Sequence, residues 1–136
     1  MSPDEAREFI SHNHHAVLAT RRRDGSPQMS PVAVAVDSSG RAVVSSRATA
    51  IKTRNLERDP RYGLVVFTDN FFGPWVSARG TAEVISLPDA MPVLEQYYRD
   101  VAGEHPDWDE YRAAMERERR VVLRLSIEEA GPQVSG

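Results

Sequence analysis

The chain of 136 residues is 40% hydrophobic, with 17 basic and 20 acidic side chains and a formal net charge of -3. That size and balance describe one domain, residues 1–136, with a single core and no electrostatic footprint for nucleic acid. Cysteine is absent, which excludes disulfides, thiolate metal sites and cysteine nucleophiles.

The first residues, "MSPDEAREF", read as a helix with Ser2 as cap, Pro3 in the first turn and Glu5 completing a capping box, ending near His12. An acidic helical start is not an apolar signal region, and no segment is apolar enough to span a bilayer, so the expected compartment is the cytoplasm. "HAVLATRRRDGSPQMSPVAVAVD" reads as two strands joined at "DG", the second alternating through Val32, Val34 and Val36. "SSG" turns the chain into a third strand, "RAVVSS". "TAIKTRNLERDP" then reads as a short helix with Thr49 as cap and Pro60 as stop.

"YGLVVF" and "WVSARGTAEVISL" are two further strands around the turn-like "TDNFFGP", with Gly80 marking a bulge or bend. After Pro88 the period becomes helical: Met91, Leu94, Tyr98 and Val101 share one face, and Trp108, Tyr111 and Met115 share another beyond the break "AGEHPD". "RRVVLRLSI" closes the pattern as a sixth strand, with Val121, Leu123, Leu125 and Ile127 on one face. Six regularly spaced strands with short turns point to a small barrel.

Lys52 is the only lysine, in a chain that otherwise carries its positive charge on arginine. It falls in the first turn of the short helix, where unpaired amide groups and the helix dipole favour an anion, and Thr53, Arg54 and Asn55 add donors. A compact ammonium suits a place where a planar guanidinium fork does not fit. The bland alternative is a solvated helix face. His12, His14 and His15 straddle a helix end without ligand spacing and His105 stands alone in a turn, so no metal site is assigned. Phe71, Phe72 and Trp75 read either as a small cluster covering the barrel's end or as a ligand wall, and Tyr97, Tyr98, Trp108 and Tyr111 as core with their polar tips at the rim.

"KTRNLERDPR" after a strand, "VLATRRRDGSPQMSPV" before it, "RGTAEV" beyond it and then "YRDVAGEHPDWDEYRAAMERERRVVLRLSI" together resemble the split-barrel flavin-binding superfamily related to pyridoxamine 5'-phosphate oxidase. Within it, the actinobacterial members that use the deazaflavin coenzyme F420 are most similar, and "AGEHPDWDEYR" is the most specific part. The resemblance implies a mainly β fold with flanking helices (α+β), a six-stranded antiparallel split barrel, a homodimer, and a cofactor groove between the two subunits. Carried over by position, it makes Lys52 and Asn55 contacts to the cofactor's phosphate or ring-carbonyl end, assisted by Thr53, and lays Gln28, Ser30 and Val32 along the ring. It also brings the Ser46 hydroxyl to the cofactor and sets Trp75 beside the ring. Many deazaflavin-binding relatives carry an arginine two residues before the lysine; here that residue is Ala50, with Arg47 the nearest substitute. The arginine-rich substrate motif of the authentic pyridoxamine phosphate oxidases has no counterpart in "SIEEAGPQVSG".

The implied function is an F420-dependent oxidoreductase passing hydride to an activated C=C or related small-molecule acceptor. The alternatives are an FMN-dependent oxidase or reductase on the same barrel, and a non-catalytic module binding the cofactor, haem or another tetrapyrrole. No catalytic residue is assigned, because in such a protein the cofactor carries the chemistry.

Overall fold

A computed structural model describes residues 1–132. The first helix, α1 (Pro3–His12), starts as the sequence predicts: Ser2 Oγ accepts from the Glu5 amide and the Glu5 carboxylate accepts from the Ser2 amide. Eight antiparallel strands follow, β1 (His15–Arg21), β2 (Pro27–Ala33), β3 (Ala35–Val36), β4 (Ala42–Arg47), β5 (Arg61–Phe67), β6 (Trp75–Ile85), β7 (Arg120–Leu125) and β8 (Glu129–Gly131). Three helices complete the chain: α2 (Ile51–Arg58) between β4 and β5, and α3 (Met91–Ala102) and α4 (Trp108–Arg117) between β6 and β7. The sheet runs β2-β1-β5-β6-β7-β4-β3, with β8 added to β6.

Of the two strands beyond the predicted six, β8 is a short addition on β6 and the other comes from a split in the valine run. The valine alternation from Val32 to Val36 is not one strand, because Val34 and Ala35 are both buried and the Val34 amide donates to the His14 carbonyl at 2.9 Å. The chain changes partner there, from β1 to β4, and since β2 and β3 are the two ends of the sheet, this crossing curls the sheet into a barrel. β6 makes the opposite crossing, pairing with β5 over Trp75–Thr81 and with β7 over Ala82–Ile85. Gly80 lies at that crossing in regular register with Tyr62, and a Cβ on it would come within 2.2 Å of the Ser126 carbonyl, so close approach is what requires the glycine.

Alternate residues of β4 and β7 serve two cores, which is why both read as continuous valine runs. Val44, Val121, Leu123 and Leu125 join Leu18, Leu64 and Val66 inside the barrel, where α1 adds Ile10 and α2 adds Leu56. Val43 and Val122 face the other way, against Leu94, Tyr111 and Met115 of α3 and α4. Of the aromatic residues read as core with their tips at the rim, Tyr111 is buried and Tyr97, Tyr98 and Trp108 are partly buried against this second core; Tyr97 and Tyr111 donate to the carbonyls of Ala33 and Leu94 at 2.9 and 2.8 Å. Phe71 and Phe72 do not cover the barrel's end. They stand 78% and 92% exposed and touch each other edge to face.

All four helices are thereby committed, and none remains for the outer face of β2, β1, β5 and the first half of β6. That face presents Met29 (64% exposed), Pro31, Val17, Val65 and Trp75 (49% exposed). Among the described residues no helix is long and apolar enough to cross a membrane.

Candidate functional site

Lys52 is the second residue of α2, as expected from the sequence, but the cap is Ala50 and not Thr49. The Ala50 amide closes a tight turn onto the Arg47 carbonyl at 3.1 Å, which starts the helix one residue later, and no side chain caps its first turn. The amides there are left to a ligand or to solvent.

Among the described residues the half-buried Lys52 ammonium has no acidic or hydrogen-bonding partner. Burial pushes it below its ordinary value, and the Arg120 guanidinium pushes it the same way. Arg120 and Arg47 both donate to one carboxylate, that of Glu118, at 2.8 and 3.3 Å. The Arg120 hydrogen bond holds the Glu118 carboxyl below the usual carboxylate range. Lys52 at the start of α2 thus lies near Arg120 at the start of β7, and the one carboxylate that pairs Arg120 also pairs Arg47 at the end of β4. A desolvated, unpaired ammonium next to a like charge is unfavourable on its own and becomes favourable once an anion sits between them.

The other sequence-predicted residues fall into separate groups. Thr53 and Ser46 are each 1% exposed and use their hydroxyls on the protein itself: they bond one another at 2.8 Å, and Thr53 Oγ1 donates to the Arg47 carbonyl at 2.7 Å. In this structure neither hydroxyl is free for a cofactor; the pair fixes α2, and so Lys52, against the end of β4. Thr53→Val is therefore expected to lower stability by about 1–3 kcal/mol in the absence of any ligand, since it removes two buried hydrogen bonds, leaving the Ser46 hydroxyl only its long 3.4 Å bond to the Arg47 carbonyl and that carbonyl without its shortest donor. Urea unfolding measures this loss.

Gln28 and Asn55 belong to one network. Asn55 Nδ2 donates to Thr20 Oγ1 at 3.1 Å, Thr20 Oγ1 donates to Gln28 Oε1 at 2.9 Å, and the Arg58 guanidinium donates to Asn55 Oδ1 at 3.2 Å. Thr20, which the sequence did not single out, connects them. In register with Thr20, Leu18 and Ala16, the side chains of Gln28, Ser30 and Val32 face the barrel interior, and the exposed residues of β2 are Pro27, Met29 and Pro31. Val32 packs against the barrel core, and Ser30 Oγ is buried with no hydrogen-bond partner among the described residues. Trp75 lies on the opposite, outer face, in register with Phe67. Within the chain the structure therefore does not bring Trp75 together with Gln28, Ser30 and Val32. The histidines stand apart: His12 meets Glu8, His14 Nδ1 meets the Val34 carbonyl, and His15 meets Asp69.

Beside the basic group a cavity of about 450 Å³ opens between β4, β7 and the two late helices. Arg120 lines it with Ser45, Tyr97, Tyr98, His105 and Tyr111. Sequence reasoning missed Arg120 and Ser45. The signal for Arg120 was the run "RERR", in which four charged residues look alike until the fold turns one of them inward.

The donor set fits a phosphorylated cofactor: an unpaired ammonium, uncapped helix amides and an excess of guanidinium charge. Comparison with known proteins agrees on the family. The family model described as pyridoxamine 5'-phosphate oxidase matches residues 2–133. An F420H(2)-dependent biliverdin reductase of Mycobacterium tuberculosis (strain CDC 1551 / Oshkosh) is 32% identical over 125 residues, 92% of this chain and 83% of that protein. A conserved hypothetical protein of Mycobacterium tuberculosis superposes with a TM-score of 0.76 at 23% identity, covering 100% of this chain and 92% of its own. The haem storage protein of Vibrio cholerae gives 0.72 at 16% identity, covering 94% and 92%. These two structural likenesses are likenesses of fold. From the family match and the identity to the mycobacterial reductase, the chain belongs to the pyridoxamine 5'-phosphate oxidase family.

Proposed function

We propose that this protein is a homodimeric reductase that binds the deazaflavin coenzyme F420 and uses it to reduce an activated C=C or related group in a small conjugated molecule. The observation that carries the reading is the Lys52 ammonium, desolvated beside Arg120 at an uncapped helix start. Lys52, the first-turn amides of α2 and the Arg47–Arg120 pair would hold the cofactor's phosphate. Ser46 and Thr53 hold α2 in place, and the Gln28–Thr20–Asn55 network ties that helix to β2. When bound and reduced, the deazaflavin supplies hydride to the acceptor, and the matching proton comes from water. The chain's own task is to bind, orient and exclude solvent.

The mycobacterial relative's name supports this cofactor, and it extends the proposal to an open-chain tetrapyrrole as acceptor. The dimer is supported by the uncovered outer sheet face. A contiguous apolar face of that kind on a small domain marks an interaction surface, and a symmetric second copy is its commonest occupant. A dimer formed there would bury Trp75 and bring it to the partner's side of a shared groove. FMN carries a phosphate too and makes the same demand on Lys52, so the cofactors must be compared directly.

Mixing the purified protein with reduced F420 and biliverdin tests the proposal. Recovery of the oxidised deazaflavin band with loss of the tetrapyrrole band is expected, at a rate proportional to protein. Turnover with reduced FMN alone would assign the barrel to flavin, and a stable Soret band with haem and no turnover with either cofactor would assign it to the binding modules of the family.

A further inference from the structure

Resting on the reductase reading, we propose that the cavity between β4, β7 and helices α3 and α4 seats the acceptor, a planar conjugated carboxylate, with His105 donating a hydrogen bond to it from Nε2. Tyr98, His105 and Tyr111 form its aromatic side, with ring centroids 5.0 Å (Tyr98 to His105), 5.1 Å (Tyr98 to Tyr111) and 5.5 Å (His105 to Tyr111) apart. Met115 adds a polarisable surface, and Arg120 supplies the charge at the end nearest Lys52. The volume, about 450 Å³, lies within the range of small-molecule sites, and the aromatic side is joined by polar or charged groups from Ser45, His105, Glu110 and Arg120. Glu110 also reaches the cavity with its carboxylate paired to Arg117 at 3.2 Å, and Arg120 brings its own partner, Glu118, at 2.8 Å.

His105 is not a loosely held turn residue. Its Nδ1 accepts from the Asp107 amide at 2.9 Å, which leaves the proton of the neutral ring on Nε2. Its loop is clamped from both sides. Gly103 turns the chain at a φ of 86°, Arg99 and Trp108 both bond Glu104, and the Arg99 guanidinium stacks 4.3 Å from the Trp108 ring centre. A fixed tautomer on a rigid loop beside an aromatic cavity is a positioned donor, and the fold itself makes no use of that donor among the described residues. Arg120 belongs to both the cavity and the basic group, so a molecule seated here lies next to whatever Lys52 holds.

Biliverdin, a conjugated dicarboxylate, and its dimethyl ester are the probes, added without cofactor and followed by the visible circular dichroism that the protein induces in them. The wild type is expected to bind the acid more tightly than the ester. His105→Asn keeps an acceptor for the Asp107 amide but removes the Nε2 donor, and is expected to weaken binding of the acid about three- to tenfold, the range for a lost hydrogen bond. His105→Gln places an amide donor where Nε2 was and is expected to stay near the wild type. Arg120→Gln is expected to abolish the preference for acid over ester. Melting temperatures check that each variant is folded, and F420 titration of His105→Asn is expected to match the wild type. No induced signal with the wild type, or equal affinities for His105→Asn and His105→Gln, overturns the seat. The two proposals fail separately: F420 binding without any effect of these variants on the probe removes the seat alone, and probe binding without F420 binding removes the cofactor alone.

Discussion

Val65→Arg is expected to prevent the proposed dimer, leaving a monomer of 15.2 kDa, and to abolish cofactor binding with it. Val65 lies at the middle of the uncovered sheet face, in register with Val17 of β1 and Ser77 of β6, and its side chain points away from the barrel core. A guanidinium there is tolerated in a monomer, where it faces water. In a symmetric interface two of them enter one apolar patch, and each unpaired buried charge costs several kcal/mol, enough to dissociate a dimer at micromolar concentration. Light scattering reads the mass and a thermal melt confirms the fold. A wild type that is monomeric at micromolar concentration would remove both the dimer and the shared groove.

Lys52→Ala is expected to weaken F420 binding by about 1.5–3 kcal/mol, roughly ten- to a hundred-fold, the range for a charge-assisted hydrogen bond. Lys52→Arg should fall between, because it keeps the charge but brings a wider planar fork into a space already holding Arg120. The exposed Arg22→Ala serves as the control and should change little. Apo stability should not drop in Lys52→Ala, since Lys52 bonds to nothing among the described residues; this contrasts with the loss expected for Thr53→Val.

The lowered value of Lys52 has a further consequence with a definite sign. Below its ordinary 10.5 and above its value in the fold, the unfolded chain binds a proton that the folded chain has released, so this residue makes stability rise with pH through that window. Tyr62 and Tyr97, raised by burial, and Tyr111, pushed up to about 12 by it, act in the opposite sense. The contribution is therefore read as the difference between the wild type and Lys52→Ala, which should widen in favour of the wild type as pH rises.

Where structure is decided by neighbours in sequence, the residues announced it. The box formed by Ser2 and Glu5, the two late helices and the position of Lys52 in a first turn all rest on spacings of four residues or fewer, or on a helical period. The change of partner at Val34 did not show, because alternation reports which residues share a face and not which strand lies alongside. The direction of β2 did not show either. Its two faces are Gln28, Ser30 and Val32 against Met29 and Pro31, and polar residues on the inner face reverse the usual pattern of a half-buried strand. With the register known, much of the reversal makes sense: Gln28 meets Thr20, to which Asn55 donates in turn, and the outer apolar residues belong to the uncovered face. The resemblance implies that Ser46 and Thr53 meet the cofactor, and it says nothing of how the two hydroxyls meet each other. Their bond to each other depends on how α2 folds back on β4, which no spacing reveals.

The most direct test of the central claim is equilibrium titration of the wild-type protein, freed of any bound chromophore, with F420 and with FMN in parallel, each followed by its own fluorescence. Saturable binding of F420, tighter than that of FMN and weakened at least about tenfold by Lys52→Ala, is the expected result. Tighter binding of FMN, or F420 affinity equal in the wild type and Lys52→Ala, would contradict it.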